Sequence, residues 1–95
     1  MRVTLHPERD IEEAAEFYER QGSAVLAARF IFAFKNLTAL LGQQPEIGSP
    51  RSAGRRGLCM NVFPYTVIYR ASADEIKILV VKHDRKRPGY GAPRR

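Results

Sequence analysis

The sequence predicts an α+β fold in the order strand, helix, helix, strand, strand, strand (β-α-α-β-β-β): a two-helix hairpin packed on one face of a small, mainly antiparallel sheet. Three observations predict it. Between residues 8 and 43 apolar residues recur at helical spacing and are interrupted once, at Gly22-Ser23. Between residues 56 and 83 three β-rich runs are divided by Phe63-Pro64 and by Ser72-Ala73-Asp74. A chain of 95 residues closes around one hydrophobic core, so residues 1–95 read as a single domain.

Each element has its own local signal. Val3-Thr4-Leu5 alternates briefly, and Pro7 helps to end this first short strand. Glu8, Asp10, Glu12 and Glu13 then put negative charge where a helix N-terminus favours it, while Ile11, Ala14, Ala15 and Tyr18 share one face. Gly22, able to take the left-handed conformation that follows many helices, reads as the stop, and Ser23 as the cap of the next helix. That second helix spans about Ala24 to Gln43, with Leu26, Phe30, Ala33, Phe34, Leu37 and Leu41 as its main apolar stripe. Val25, Ala28, Ile31 and Phe32 lie off the stripe, so the helix is apolar over more of its circumference than a small monomer needs. Ile31 fits either a second core contact or a partner, whereas Phe32 favours a partner.

Pro45 ends the helix, and residues 46–54, with Gly48, Pro50 and Gly54, read as a loop. The strands expected next run from about Arg56 to Val62, Tyr65 to Ala71 and Glu75 to His83, as an antiparallel meander. In the last, strict alternation sends Ile76, Ile78 and Val80 one way and Lys77, Leu79, Val81 and His83 the other. Both faces are then mostly apolar, which suits the centre of a sheet. Pro88, Gly89, Gly91 and Pro93 argue against regular structure in the tail.

Composition narrows the function classes. With 44% hydrophobic and 27% charged residues the chain resembles ordinary globular proteins. The net charge of +6 is unevenly placed: residues 1–47 carry 5 basic and 7 acidic side chains, residues 48–95 carry 11 and 3. The electropositive second half suits phosphate backbones or an acidic protein. Cys59 is alone, so no internal disulfide forms, and without a CxxC or similar spacing it reads as a small buried apolar residue. His6 has no ligand-type neighbours, and neither a metal nor another cofactor is expected. The amino terminus lacks the apolar run of a signal peptide, which points to the cytoplasm. Polar residues interrupt every hydrophobic segment, so no membrane role is expected.

Four segments together resemble the RelE/ParE superfamily of type II toxin-antitoxin systems, closest to its ParE-like branch. They are Asp10-Ile11-Glu12-Glu13-Ala14-Ala15-Glu16-Phe17-Tyr18, Leu40-Leu41-Gly42-Gln43-Gln44-Pro45-Glu46-Ile47-Gly48, Phe63-Pro64-Tyr65-Thr66-Val67-Ile68-Tyr69-Arg70 and His83-Asp84-Arg85-Lys86-Arg87-Pro88-Gly89-Tyr90. They occur in family order over nearly the whole chain. The resemblance implies a growth-inhibiting toxin, of the kind used in plasmid stabilisation, silenced by a cognate antitoxin that folds on it. A ParD-like antitoxin would lay an amphipathic helix across Val25, Ala28 and Phe32. Operator DNA would be reached only indirectly, through that antitoxin.

Superfamily members use two chemistries. RelE-like members cut mRNA on the ribosome, which requires a proton acceptor, a proton donor and cations around the phosphorane. Cations abound at Arg51, Arg55, Arg56, Arg70, Arg85, Lys86 and Arg87. Acid-base groups are sparse: His83 suits either proton role or a structural hydrogen bond, and Tyr90 could donate a proton, stack on a base or pack the tail. As a nuclease the chain would rely on His83, Arg85 and Tyr90. ParE-like members instead poison DNA gyrase by contact, without catalytic groups of their own. The long hairpin and sparse acid-base inventory favour that reading, with Arg85, Lys86, Arg87 and Tyr90 gripping the target. A plain nucleic-acid-binding module is the third class, weakened because Tyr65 and Tyr69 sit at positions that look like sheet core.

Overall fold

The computed structural model describes residues 2–6 and 8–84, in the order β1 (Arg2–Leu5), α1 (Glu8–Gln21), α2 (Ala24–Gln43), β2 (Ser49–Pro50), a single 3-10 turn (Ser52–Gly54), β3 (Arg56–Cys59), β4 (Tyr65–Ala71) and β5 (Glu75–His83). The strands form one mixed sheet in the order β1-β5-β4-β3-β2. Neighbours from β2 to β5 are antiparallel, and β1 runs parallel to β5 from Arg2↔Glu75 to Leu5↔Ile78. The fold is therefore the expected α+β arrangement. Pro7 and the tail from Arg85 onward lie outside the described residues.

The helices form where the pattern demands. Glu8 and Asp10 sit in the first turn of α1 and Arg20 in its last, each matched to the helix dipole. The Ser23 side chain accepts from the Leu26 N–H at 3.1 Å and caps α2. Gly22 ends α1 for a different reason from the one expected. Gly54 is the glycine with positive φ among the described residues, so Gly22 is not needed for a left-handed turn. It is needed for room: a Cβ there would lie 2.7 Å from Leu26 Cδ2 and 3.2 Å from the Tyr18 carbonyl oxygen. That same carbonyl accepts from the N–H groups of both Gly22 and Ser23.

Both helices cover one face of the sheet. Phe30, Phe34, Leu37 and Leu41 of α2 and Ala14 of α1 form one core with Tyr65, Val67, Tyr69, Ile76, Ile78 and Val81. With Arg29 and Lys35 as its charged residues, α2 holds an 18-residue window of mean hydropathy 1.6 and is long and apolar enough to cross a membrane. Polar interruptions thus do not exclude a span on composition, contrary to the sequence reading. The helix instead supplies the fully buried Phe30 and Leu41 to the core over the sheet.

Two differences from simple strand patterning matter for function. First, β3 ends at Cys59, short of the expected Val62. Met60 N–H still donates to the Tyr65 carbonyl, after which Tyr65 N–H bonds the Phe63 carbonyl at 2.8 Å and closes a tight turn around Pro64. Second, β5 is bulged. Ile68 pairs with Val80 but Tyr69 pairs with Ile78, which leaves Leu79 as an extra residue. Strict alternation fails there: Val81 joins Ile76 and Ile78 in the core, and Val80 turns outward. The centre of the sheet is accordingly β4, buried from Tyr65 to Tyr69, with β5 beside it.

Candidate functional site

The sheet has a hairpin face and an open face, and β-strand parity decides which residues each receives. On β4, Tyr65, Val67 and Tyr69 point to the hairpin, and Thr66, Ile68 and Arg70 point away. Cross-strand partners share a face, so the open face carries the pairs Arg70↔Lys77, Ile68↔Val80 and Thr66↔Lys82, with Gly57 and Cys59 beside Ile68 and Thr66. Cys59 is exposed there, not buried as its composition suggested, because Leu58 takes the inward position next to it.

The loop around the 3-10 turn adds a cation to this face. Gly57 leaves room for Arg51, whose guanidinium lies 2.5–2.7 Å from where a Cβ on Gly57 would stand. Arg51 N–H donates to the Arg55 carbonyl at 2.7 Å, and Ala53 takes a left-handed φ of 60°. This bent loop presents the Ala53 carbonyl to Arg70 Nη2 at 3.0 Å. Arg56, by contrast, is engaged in the fold, since its Nη1 donates to the Gly48 carbonyl at 2.8 Å. The buried Thr66 hydroxyl donates to Asp84 Oδ1 at 2.6 Å and stands 3.7 Å from Cys59 Sγ.

His83 lies elsewhere. The bulge at Leu79 turns it to the hairpin face, opposite Tyr65, with the two rings edge-on at 4.9 Å. It lines a cleft of about 730 Å³ between α1 and β5 together with Asp10, Glu13, Glu16, Phe17 and Val81. Burial, helped by neighbouring Tyr18, pushes the Tyr65 hydroxyl up to about 12, and burial also raises Tyr18. Both phenols therefore keep their protons at neutral pH. No group of three or more potential metal ligands occurs among the described residues.

The residues proposed for antitoxin contact do come together. Val25, Ala28 and Phe32 follow one another along the outer surface of α2, with Val25 and Phe32 exposed at 63% and 67%. Sequence reasoning missed their neighbour. The turn after β3 leaves Val62 82% exposed. It rims an apolar groove of about 440 Å³ formed with Tyr18, Leu26, Ala33, Phe63 and Pro64. The available signal was the adjacency of Val62 and Phe63, two apolar residues that a tight turn cannot send to the same core. Arg85, Lys86, Arg87 and Tyr90, chosen for target contact, lie outside the described residues.

The family model for the ParE toxin of the type II toxin-antitoxin system, parDE, matches residues 2–88. The chain belongs to the ParE toxin family. A solved structure described as the chromosomal ParDE TA system from P. aeruginosa is similar in fold, with a TM-score of 0.77 at 19% identity over 87% of this chain and 95% of that one. No curated protein matches. Membership makes this a toxin-family chain of a type II system, in which an antitoxin is the expected partner.

Proposed function

We propose that this ParE-family chain inhibits growth by poisoning DNA gyrase in the cytoplasm, and that a ParD-like antitoxin neutralises it. The observation that supports gripping over cutting is the bulge at Leu79. It removes His83 from the open face, where Arg51, Arg70 and Lys77 lie, and seats it against Tyr65 on the other side of the sheet. Cations without a nearby imidazole can hold a phosphate or carboxylate, but they provide no general base of matched pKa. On that open face the carboxylate of Asp84 already accepts the Thr66 hydroxyl. The alternative reading, a ribosome-dependent mRNA endonuclease, would need His83 or Tyr90 to reach a phosphate from elsewhere.

The antitoxin is expected to cover the Val25, Ala28 and Phe32 stripe and to seat an apolar side chain in the groove beside Val62. Target contact is assigned to the tail cations Arg85, Lys86 and Arg87, with Tyr90.

Brief toxin expression separates the two targets: gyrase-dependent DNA breaks support the proposal, and codon-specific mRNA cuts without breaks reverse it. The paired change Arg85→Ala and Arg87→Ala should abolish toxicity and leave antitoxin binding intact. It tests the tail more cleanly than truncation after Lys82. Truncation there also removes Asp84, whose N–H bonds the Pro64 carbonyl and whose carboxylate holds Thr66.

A further inference from the structure

The hairpin covers one side of the sheet, and on the other the sequence places cations in rows. Arg51 is laid over Gly57 at the level of Ile68. Two residues further along β4, Arg70 and Lys77 stand directly opposite each other. Like charges paired across a strand destabilise a sheet unless an anion lies between them. Neither is shielded by an ion pair among the described residues, since Arg70 bonds the Ala53 carbonyl and both side chains are exposed. Of the carboxylates on this face, Asp84 accepts the Thr66 hydroxyl and Glu75 the Thr4 hydroxyl, and among the described residues neither forms an ion pair with Arg70 or Lys77.

The face also lacks what an unpaired nucleic acid strand needs. Binders of single strands stack bases on aromatic rings. Here Tyr65 and Tyr69 are turned to the hairpin and are 7% and 0% exposed, and the open-face positions of β3, β4 and β5 hold Gly57, Cys59, Thr66, Ile68, Arg70, Glu75, Lys77, Val80 and Lys82, none of them aromatic. A polyanion that hides its bases fits better. The rows at Ile68 and Arg70 are two residues apart, or about 7 Å at roughly 3.3 Å per residue, so Arg51, Arg70 and Lys77 form one compact cationic patch.

We propose that the open face of the sheet binds the phosphate backbone of duplex DNA, with Arg51, Arg70 and Lys77 as phosphate contacts. Sequence is not read, because no side chain capable of bidentate base recognition is aimed by a helix or ribbon into a groove. The inference deepens the gyrase reading by giving the toxin a hold on the nucleic acid in a cleaved complex, but its measurement uses no gyrase.

The test is fluorescence anisotropy of a short labelled DNA duplex titrated with the purified full chain across a salt series. Two triple variants lose the same charge from opposite sides. One carries Arg51→Ser, Arg70→Ser and Lys77→Ser; the other carries Arg9→Ser, Arg20→Ser and Arg29→Ser on the helices, and circular dichroism verifies that both fold. The face variant is expected to bind at least about tenfold more weakly, and its plot of log affinity against log salt should flatten by about 2 to 3. The helix variant should keep the wild-type slope. The proposal is overturned if the wild type does not bind, if both variants lose equally, or if the face variant is unaffected while Arg85→Ser, Lys86→Ser and Arg87→Ser abolish binding. Equal or tighter binding of single-stranded DNA or duplex RNA of the same sequence also overturns it. If duplex binding fails while the wild type still gives gyrase-dependent breaks, this inference falls and the gyrase reading stands.

Discussion

Asp10 Oδ2 accepts the backbone N–H of Val81 at 3.1 Å, joining the first helix to the last strand across 71 residues of sequence. The contact exists because β1 is short. It pairs with β5 only as far as Ile78, and the ladder beyond has no neighbouring strand on that side among the described residues. A carboxylate stands in for the missing strand and occupies an edge donor that could otherwise recruit another chain. Asp10→Ala should cost about 1 to 2 kcal/mol in urea denaturation and speed amide exchange at Val81. An unchanged midpoint with unchanged exchange would show the contact to be idle.

Tyr69 and Gly48 form a second joint. The buried Tyr69 hydroxyl donates to the Pro45 carbonyl at 2.8 Å and accepts from Gly48 N–H at 2.9 Å. A Cβ on Gly48 would meet the Tyr69 ring at 2.8 Å and the Gly57 carbonyl oxygen at 2.9 Å. Gly48→Ala should therefore destabilise by about 2 kcal/mol, and Tyr69→Phe by about 1 to 2 kcal/mol through the stranded N–H. The double variant should lose less than the sum, because the two changes break one shared contact. Strict additivity would refute the coupling.

Phe32 is 67% exposed, so its removal leaves the core intact. Phe32→Glu should shift folding stability by no more than about 0.5 kcal/mol while weakening antitoxin binding at least about tenfold, the scale of an interface anchor. Calorimetry on wild type and variant measures both, and equal affinity for the antitoxin would remove this face from the interface.

The Tyr65 hydroxyl, raised to about 12 by burial, gives stability a definite alkaline dependence. The folded chain holds this proton more tightly than the unfolded chain, whose tyrosines titrate near 10. The contribution is therefore complete below about pH 10 and is lost as pH rises from 10 towards 12. Tyr65→Phe should flatten the stability profile in that window. If tyrosinate absorbance in the folded protein rises for all four tyrosines near pH 10, the shift is absent.

Local chemistry made most of the fold legible. Ser23 and Pro45 bracket α2 at Ala24 and Gln43, where the structure has them, and the punctuation at Ser72-Ala73-Asp74 separates β4 from β5. What stayed hidden was non-local or unsignalled. Nothing in Ile78-Leu79-Val80-Val81 announces a bulge, since no Gly or Pro marks it and every residue there favours a strand. Yet that bulge decides which face receives His83. The parallel docking of β1 and the short β2 depend on distant partners, and Pro50 argued against a strand. In the site, the α2 stripe was readable from helical spacing. The open-face cations were visible as charge but not as a surface, because Arg51 reaches it only through the strained turn at Ala53.

The pairing of Arg2–Leu5 with Glu75–Ile78 has a consequence for how the protein comes into being. The β1 segment finds its neighbour only after some seventy further residues have been made, so closure of the sheet on that side waits for β5. Until then the core over which the second helix packs has Tyr65, Val67 and Tyr69 but lacks Ile76, Ile78 and Val81. A chain interrupted before β5 therefore cannot close its sheet and is open to proteolysis.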